Sequence, residues 1–262
     1  MRSMNKIKIL FDMLTACKPF WIPFADRLNL LRRKARYDIS YMGQRFSARA
    51  WVGDFAVLNE VFLHQSYAAG ISMLCEGAVV IDIGANIGAF SIAAACAGAG
   101  IVHAFEPLAG NFELLKKNIA MNGLESVIHP VQLAVAAKSG PAVFHYNEDD
   151  AGGGTFFPSI HATWRDGKKD ADVKQIPVQC IALNEFFAQN KITACDLLKL
   201  DCEGTEHAII SALGETAAYI KAIIFEYHSD GKLEKILELL KGYGFCELKR
   251  CHPFQVIFAA RC

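Results

Sequence analysis

The chain has no excess of either charge: 27 Lys and Arg balance 27 Asp and Glu across 262 residues. A nucleic-acid binder normally carries a basic footprint, so composition argues against that class. Its nine cysteines are odd in number and dispersed, and no two form a C-x-x-C pair. The spacing disfavours a disulfide framework, and several cysteines fall in apolar segments, where a free thiol packs as a small hydrophobe. A reduced, cytoplasmic setting is expected. Long apolar runs are missing too. The candidate at 7–14 is short, follows Arg2, Lys6 and Lys8, is interrupted by Asp12, and gives way to Lys18 and Pro19. It is too short and too charged for a transmembrane helix, and no clean cleavage site follows it. A helix packed on the domain is the plain expectation. Peripheral membrane contact through Phe20, Trp21, Phe24 and the basic run 32–36 is the sharper alternative. There is no internal repeat and no low-complexity linker.

What is present is a hydrophobic fraction of 53%, ample for a core. Residues 1–36 read as helical, broken at Pro19 and Pro23. Alternation around Met42-Gly43 suggests a hairpin over 37–51. Asp54 is a candidate cap for a helix running to about residue 69. From Gly77 onward strands and helices alternate. Strands are expected at 79–83, 101–105, 127–135, 197–200 and 222–225. Helices are expected at 87–97, 108–122, 183–190, 206–213 and 232–243. Further strands at 143–146 and 173–181 flank a polar, glycine-rich insertion at 147–172, which reads as a lid carrying His161, Trp164 and Arg165. A closing pair at 245–249 and 255–259 completes the pattern. Repeated βα units argue for a mostly parallel sheet covered on both faces.

The first of these units carries the sharpest signal. Residues 79–83 end in an acid, Asp82, and feed a turn containing Gly84 and Gly88 before a small-residue helix. Glycine permits the tight bend and a close approach to the backbone. The next strand ends in Glu106, 22 positions after Gly84, near the roughly 20-residue offset of an acid that holds a ribose. An adenosine-containing cofactor is implied. A dinucleotide fingerprint needs G-x-G-x-x-G so that a pyrophosphate can sit at the helix start. Here Asn86 replaces the middle glycine. S-adenosylmethionine carries no phosphate and fits better. A packing turn with no ligand is the plain alternative.

The order of segments resembles the FkbM family of S-adenosylmethionine-dependent methyltransferases. The resemblance rests on V-I-D-I-G-A-N-I-G at 80–88, H-A-F-E-P at 103–107, D-L-L-K-L-D-C-E-G-T-E at 196–206 and I-I-F-E-Y-H at 223–228. It covers roughly residues 59–260, and K-x-D-x-E-G-x-E at 199–206 is its most specific part. The resemblance implies a class I methyltransferase Rossmann-like α/β sheet with an antiparallel edge strand. Residues 59–262 form that domain, and residues 1–58 form a helical and hairpin extension.

In such a sheet ligands sit at the carboxyl ends of the strands. The acids there are Asp82, Glu106, Asp201 with Glu203, and Glu226 with His228. Glu106 is expected to take both ribose hydroxyls, since a carboxylate has two acceptor oxygens. Asp82, Gly84, Asn86 and Gly88 would organise the turn and the amino-acid end of the cofactor, and Ala134 and Val135 would line the adenine slot. Asp201 and Glu203 point to one side if the strand stays extended. With His228 they are the catalytic candidates. One carboxylate could accept a hydroxyl proton. Alternatively Asp201, Glu203, Glu226 and His228 could hold magnesium or manganese. A structural role, with Glu203 capping the next helix, is the third possibility. Lys199 lies in a buried strand and needs a carboxylate partner, Glu226 or Asp201.

The stretch after the fourth strand lacks the Asn/Asp-Pro-Pro-aromatic signature of amine methylation, and no Pro-Cys dipeptide serves C5-pyrimidine chemistry. A hydroxyl acceptor is favoured. The resemblance implies O-methylation of a sugar, glycan or secondary metabolite. Two rivals stand beside it: an NAD(P)-dependent oxidoreductase, weakened by Asn86 and by the lack of a Tyr-x-x-x-Lys pair, and a non-catalytic cofactor-binding scaffold.

Overall fold

The computed structural model describes residues 16–147, 150–156, 173–227, 233–251 and 255–261. The described chain begins with β1 (Cys17–Lys18), α1 (Trp21–Arg27), β2 (Arg36–Tyr41) and β3 (Gln44–Arg49). α2 (Asp54–Leu58) runs into a wider π-helical turn at Asn59–Leu63, and α3 (Ala68–Ile71) follows. Alternating units come next: β4 (Ala78–Ile83), α4 (Ala89–Cys96), β5 (Ala99–Phe105), α5 (Ala109–Met121) and β6 (Ile128–Val131). Then come β7 (Ala134–Ala136), β8 (Gly140–Asn147), β9 (Asp150–Thr155), β10 (Val173–Ala182), α6 (Leu183–Gln189), β11 (Cys195–Leu200), α7 (Glu206–Ser211), β12 (Ile220–Glu226), α8 (Leu233–Gly242), β13 (Phe245–Cys251) and β14 (Val256–Arg261).

Seven strands form the central sheet in the order β13-β14-β12-β11-β4-β5-β6. β4, β5, β6, β11 and β12 pair in parallel. Their sequences are near-continuous apolar runs because both faces are covered. Alternate residues serve opposite faces. Val80, Leu197 and Ile224 pack with Phe90, Ile92 and Leu114 from α4 and α5. Ile81, Leu198 and Ile223 pack with Phe186, Ile209 and Ile236 from α6, α7 and α8. The closing pair forms the antiparallel edge, as expected: the edge strand β13 pairs antiparallel with β14, which itself runs antiparallel to β12. The mostly parallel α/β architecture is as expected.

The third strand departs from its expected range of 127–135. β6 stops at Val131 and β7 joins another sheet, ordered β7-β10-β8-β9. β6 is an edge strand, where Pro130, which has no N–H, is tolerated. Within the expected lid, 150–155 is strand β9 paired to β8; His161, Trp164 and Arg165 lie outside the described residues.

Over the described residues 16–36 the N-terminal segment is less helical than expected. Pro23 does not break α1, because it sits in the first turn, where no N–H is needed. The hairpin forms as expected. Met42 and Gly43 both take left-handed conformations, with φ of 49° and 87°, the form that a two-residue turn between twisted strands requires. Asp54 caps nothing: it opens the short α2 and is buried against Arg49. Ile39, Phe46 and Leu58 share one core with Val80, Ile92 and Leu114, so the hairpin is packed on the sheet. Among the described residues no helix is long and apolar enough to cross a membrane. Among the described residues seven cysteines are free. Cys246 is disulfide-bonded.

Candidate active site

Parallel β4, β5 and β11 end side by side, and the acids at the ends of β4 and β11 meet around one lysine. Lys199, on β11, is 2% exposed. Its Nζ lies 3.2 Å from Asp82 Oδ1 and 3.4 Å from Asp201 Oδ2. It also donates to the carbonyls of Gly84 at 2.9 Å and Ile83 at 3.3 Å. The expected choice between Glu226 and Asp201 thus resolves to Asp201, joined by Asp82. Burial alone disfavours the lysine's charge, but the two carboxylates outweigh it and hold the ammonium's pKa above its ordinary value. The rings of Tyr67 and Phe90 flank the ammonium at 5.6 and 5.8 Å. Asp82 is also held by Ser91, whose hydroxyl donates at 2.6 Å.

The turn after β4 is wound onto the end of β5. Gly84 and Ala85 both donate to the carbonyl of Phe105, at 3.1 and 2.9 Å. Asn86, left-handed with φ of 52°, donates its N–H to Glu106 at 2.9 Å. The N–H of Gly88 donates to Ala85. Gly84 is required for a reason the sequence reading did not give. A Cβ there would lie 1.9 Å from the carbonyl oxygen of Asp201, so it is the neighbouring strand's end, not a ligand, that excludes a side chain. A Cβ at Gly88 would meet Leu115 of α5 at 2.8 Å.

Glu106 is buried at the end of β5. It accepts from the N–H groups of Asn86 and Leu108 at 2.9 Å each and from Asn111 Nδ2 at 3.3 Å. Burial pushes its carboxyl up to about 7, against the pull of those donors and of Lys199. A carboxylate offers about four acceptor positions. Three are engaged, so the expected capture of both ribose hydroxyls requires one donor to give way. Val135 packs in the same cluster as Phe105, and Ala134 with Leu108. Both therefore border the end of β5.

After β11 the chain does not stay extended. Glu203 and Gly204 are left-handed, with φ of 51° and 98°, so strand alternation does not carry Glu203 to the side of Asp201. Glu203's carbonyl instead accepts from the Thr155 hydroxyl at 2.7 Å, tying β9 to this turn. The acid that gathers the turn's amides is Glu206, not Glu203: Oε1 accepts from Cys202 at 3.1 Å and Gly204 at 3.3 Å.

Sequence reasoning missed Tyr67 and Glu60. Tyr67, ahead of α3, is buried and donates its hydroxyl to Asp201 at 3.1 Å. Burial, then the negative charges of Asp201, Glu60 and Glu226, raise the phenol's pKa well above its ordinary value, so Tyr67 acts as a donor. No motif spacing announces a residue that reaches the site from another layer. His228 lies outside the described residues, so its expected role with Glu226 is not placed. Among the described residues no group of three His, Cys, Asp or Glu side chains is arranged to hold a metal. Asp201 already pairs with an ammonium, which competes with any cation, so the magnesium or manganese reading has no support here.

Residues 82–246 match the methyltransferase FkbM domain model, more than half of the chain. The chain belongs to the FkbM methyltransferase family. This methyltransferase is 29% identical over 218 residues to the 31-O-demethyl-FK506 methyltransferase FkbM of Streptomyces tacrolimicus, covering 74% of this chain and 83% of the relative. It is 26% identical over 212 residues to methyltransferase sdnD of Sordaria araneosa, covering 72% and 81%. A solved structure of methyltransferase FkbM from Methylobacillus flagellatus KT is similar at a TM-score of 0.45 and 13% identity, covering 71% of this chain and 44% of that one. The matched region of the methyltransferase begins at Asp82, so Arg49, Glu60 and Tyr67 precede it.

Proposed function

We propose that this methyltransferase uses S-adenosylmethionine to methylate a hydroxyl on a small-molecule or glycan acceptor, with no nucleic acid involved. The observation that carries the reading is the turn at 84–88 set against Glu106. The N–H groups of Gly84, Ala85, Asn86 and Gly88 are all spent inside the protein. Asn86 stands where a dinucleotide fingerprint has its middle glycine, so a dinucleotide is disfavoured. A ribose needs only a carboxylate acceptor, which Glu106 supplies. Bound there, S-adenosylmethionine supplies an electrophilic methyl on a positively charged sulfur.

The chain's own residues would divide the remaining work. Glu106 receives a ribose hydroxyl, Asp82 and Asn86 border the amino-acid end, and Ala134 and Val135 border the adenine. Asp201 is the candidate proton acceptor for the substrate hydroxyl, with Lys199 Nζ paired to it at 3.4 Å and Tyr67 fixing its orientation. Most of the acceleration would come from alignment in a site closed to water. Support for a hydroxyl acceptor is twofold. The turn Asp201-Cys202-Glu203-Gly204 lacks the proline pair of amine methylases, and a relative's name records an O-demethyl substrate. The test is transfer of labelled methyl from S-adenosylmethionine to a panel of sugars, glycans and hydroxylated metabolites. A labelled ether formed by the wild type and lost in Asp201→Ala supports the reading; label appearing only on amines overturns it.

A further inference from the structure

An unbroken chain of polar contacts leads from the N-terminal hairpin to Glu106. Arg49, the last residue of β3, holds Asp54 with both ends of its guanidinium: Nε to Oδ2 and Nη2 to Oδ1, each at 2.9 Å. Its backbone N–H also donates to Asp54, at 2.7 Å. Asp54 is fully buried and Arg49 nearly so. The same Nη2 donates to the side-chain oxygen of Asn111 at 2.7 Å. Asn111, in the first turn of α5 and 3% exposed, donates in turn from Nδ2 to Glu106 Oε1.

The sense of each link is fixed by chemistry. A guanidinium only donates, so it orients the Asn111 amide with oxygen toward Arg49 and nitrogen toward Glu106. Asp54 in turn locks the guanidinium by a paired contact of the geometrically demanding kind. Arg49 reinforces the orientation that the Glu106 carboxylate, itself only an acceptor, also selects. None of Arg49, Asp54 and their hairpin lies in the region that matches the family domain.

We propose that Arg49, Asp54 and Asn111 are positioning residues that set the Glu106 carboxylate for the cofactor's ribose, which makes the N-terminal hairpin a working part of the cofactor site. The inference rests on the reading that Glu106 receives the ribose. Asn111 is the donor to Glu106 with the longest contact, at 3.3 Å. It orients the carboxylate and leaves the fourth acceptor position to a ribose hydroxyl.

The test is calorimetric titration of full-length variants with S-adenosylmethionine, with melting temperature followed in parallel. Asn111→Leu should weaken binding about tenfold, the size of one hydrogen bond to a charged group. Removing Arg49 alone would strand the buried Asp54, so the pair is replaced together as Arg49→Met/Asp54→Leu, a change that such buried pairs often tolerate. That variant should stay folded and weaken binding about threefold or more. Adding Asn111→Leu to it should weaken binding no further than Asn111→Leu alone, because all three act through one contact. Leu114→Ala, a core change in the same helix, should lower the melting temperature and leave affinity within about twofold. Fully additive losses, or losses that merely follow melting temperature, would overturn the proposal. So would wild-type affinity in Asn111→Leu alongside lost affinity in Glu106→Ala. If Glu106→Ala itself binds normally, the ribose reading beneath the proposal is what fails.

Discussion

Burial holds the Glu106 carboxyl at about 7, where its ordinary value is 4.5, so its charge changes near neutral pH. On the proposed reading, the ionised form is the one that accepts ribose hydroxyls. Affinity for S-adenosylmethionine should be flat above that value and fall about tenfold per pH unit below it. Calorimetry from about pH 8 to about pH 5 checks this, and Glu106→Gln should abolish the slope. The sign is opposite for the ligand-free fold. A carboxyl raised by folding contributes stability that is full below its unfolded value and lost as pH rises through the folded one. Lys199 makes a second prediction at this scale. Lys199→Met leaves Asp82 and Asp201 facing each other without a cation. Breaking a buried pair in this way typically costs about 3–5 kcal/mol. Urea denaturation should show that loss, and adding Asp82→Asn should recover part of it.

At the scale of elements, much of the sheet was legible in the sequence. Parallel strands covered on both faces must be apolar throughout, and 79–83, 197–200 and 222–225 are. The strand-end position of Asp82, Glu106 and Asp201 follows from that placement. Elements defined by partners from other layers were not legible. β6 and β7 read as one strand because nothing local says that Ala134 pairs with Cys180 rather than continuing beside β5. Tyr67 sits 134 positions from Asp201, with no spacing to announce it. Glu206 takes the amide-gathering role expected of Glu203 because Glu203 and Gly204 are left-handed, a turn invisible to strand periodicity. The turn they build also anchors β9 through Thr155. Thr155→Val should speed amide exchange across 150–156 while leaving the melting temperature within a few degrees. Unchanged exchange there would show that the pairing of β8 and β9 alone holds the segment.

Across the whole molecule, the hairpin and the sheet share a single hydrophobic cluster, in which Phe46 and Leu58 pack with Leu114 and Ile92. Deleting residues 1–50 would uncover that face of α4 and α5, and the truncated protein should be insoluble or melt far below the full chain. A soluble, cofactor-binding truncation would contradict both the shared core and the hairpin's part in the site. The claim on which the functional account depends is that the strand-end carboxylates of this FkbM methyltransferase receive S-adenosylmethionine. Calorimetric titration of wild type and Glu106→Ala with S-adenosylmethionine, beside NADH, tests it most directly. Saturable binding of S-adenosylmethionine alone, lost in Glu106→Ala, is the predicted result; binding of NADH, or equal affinity in the variant, would contradict it.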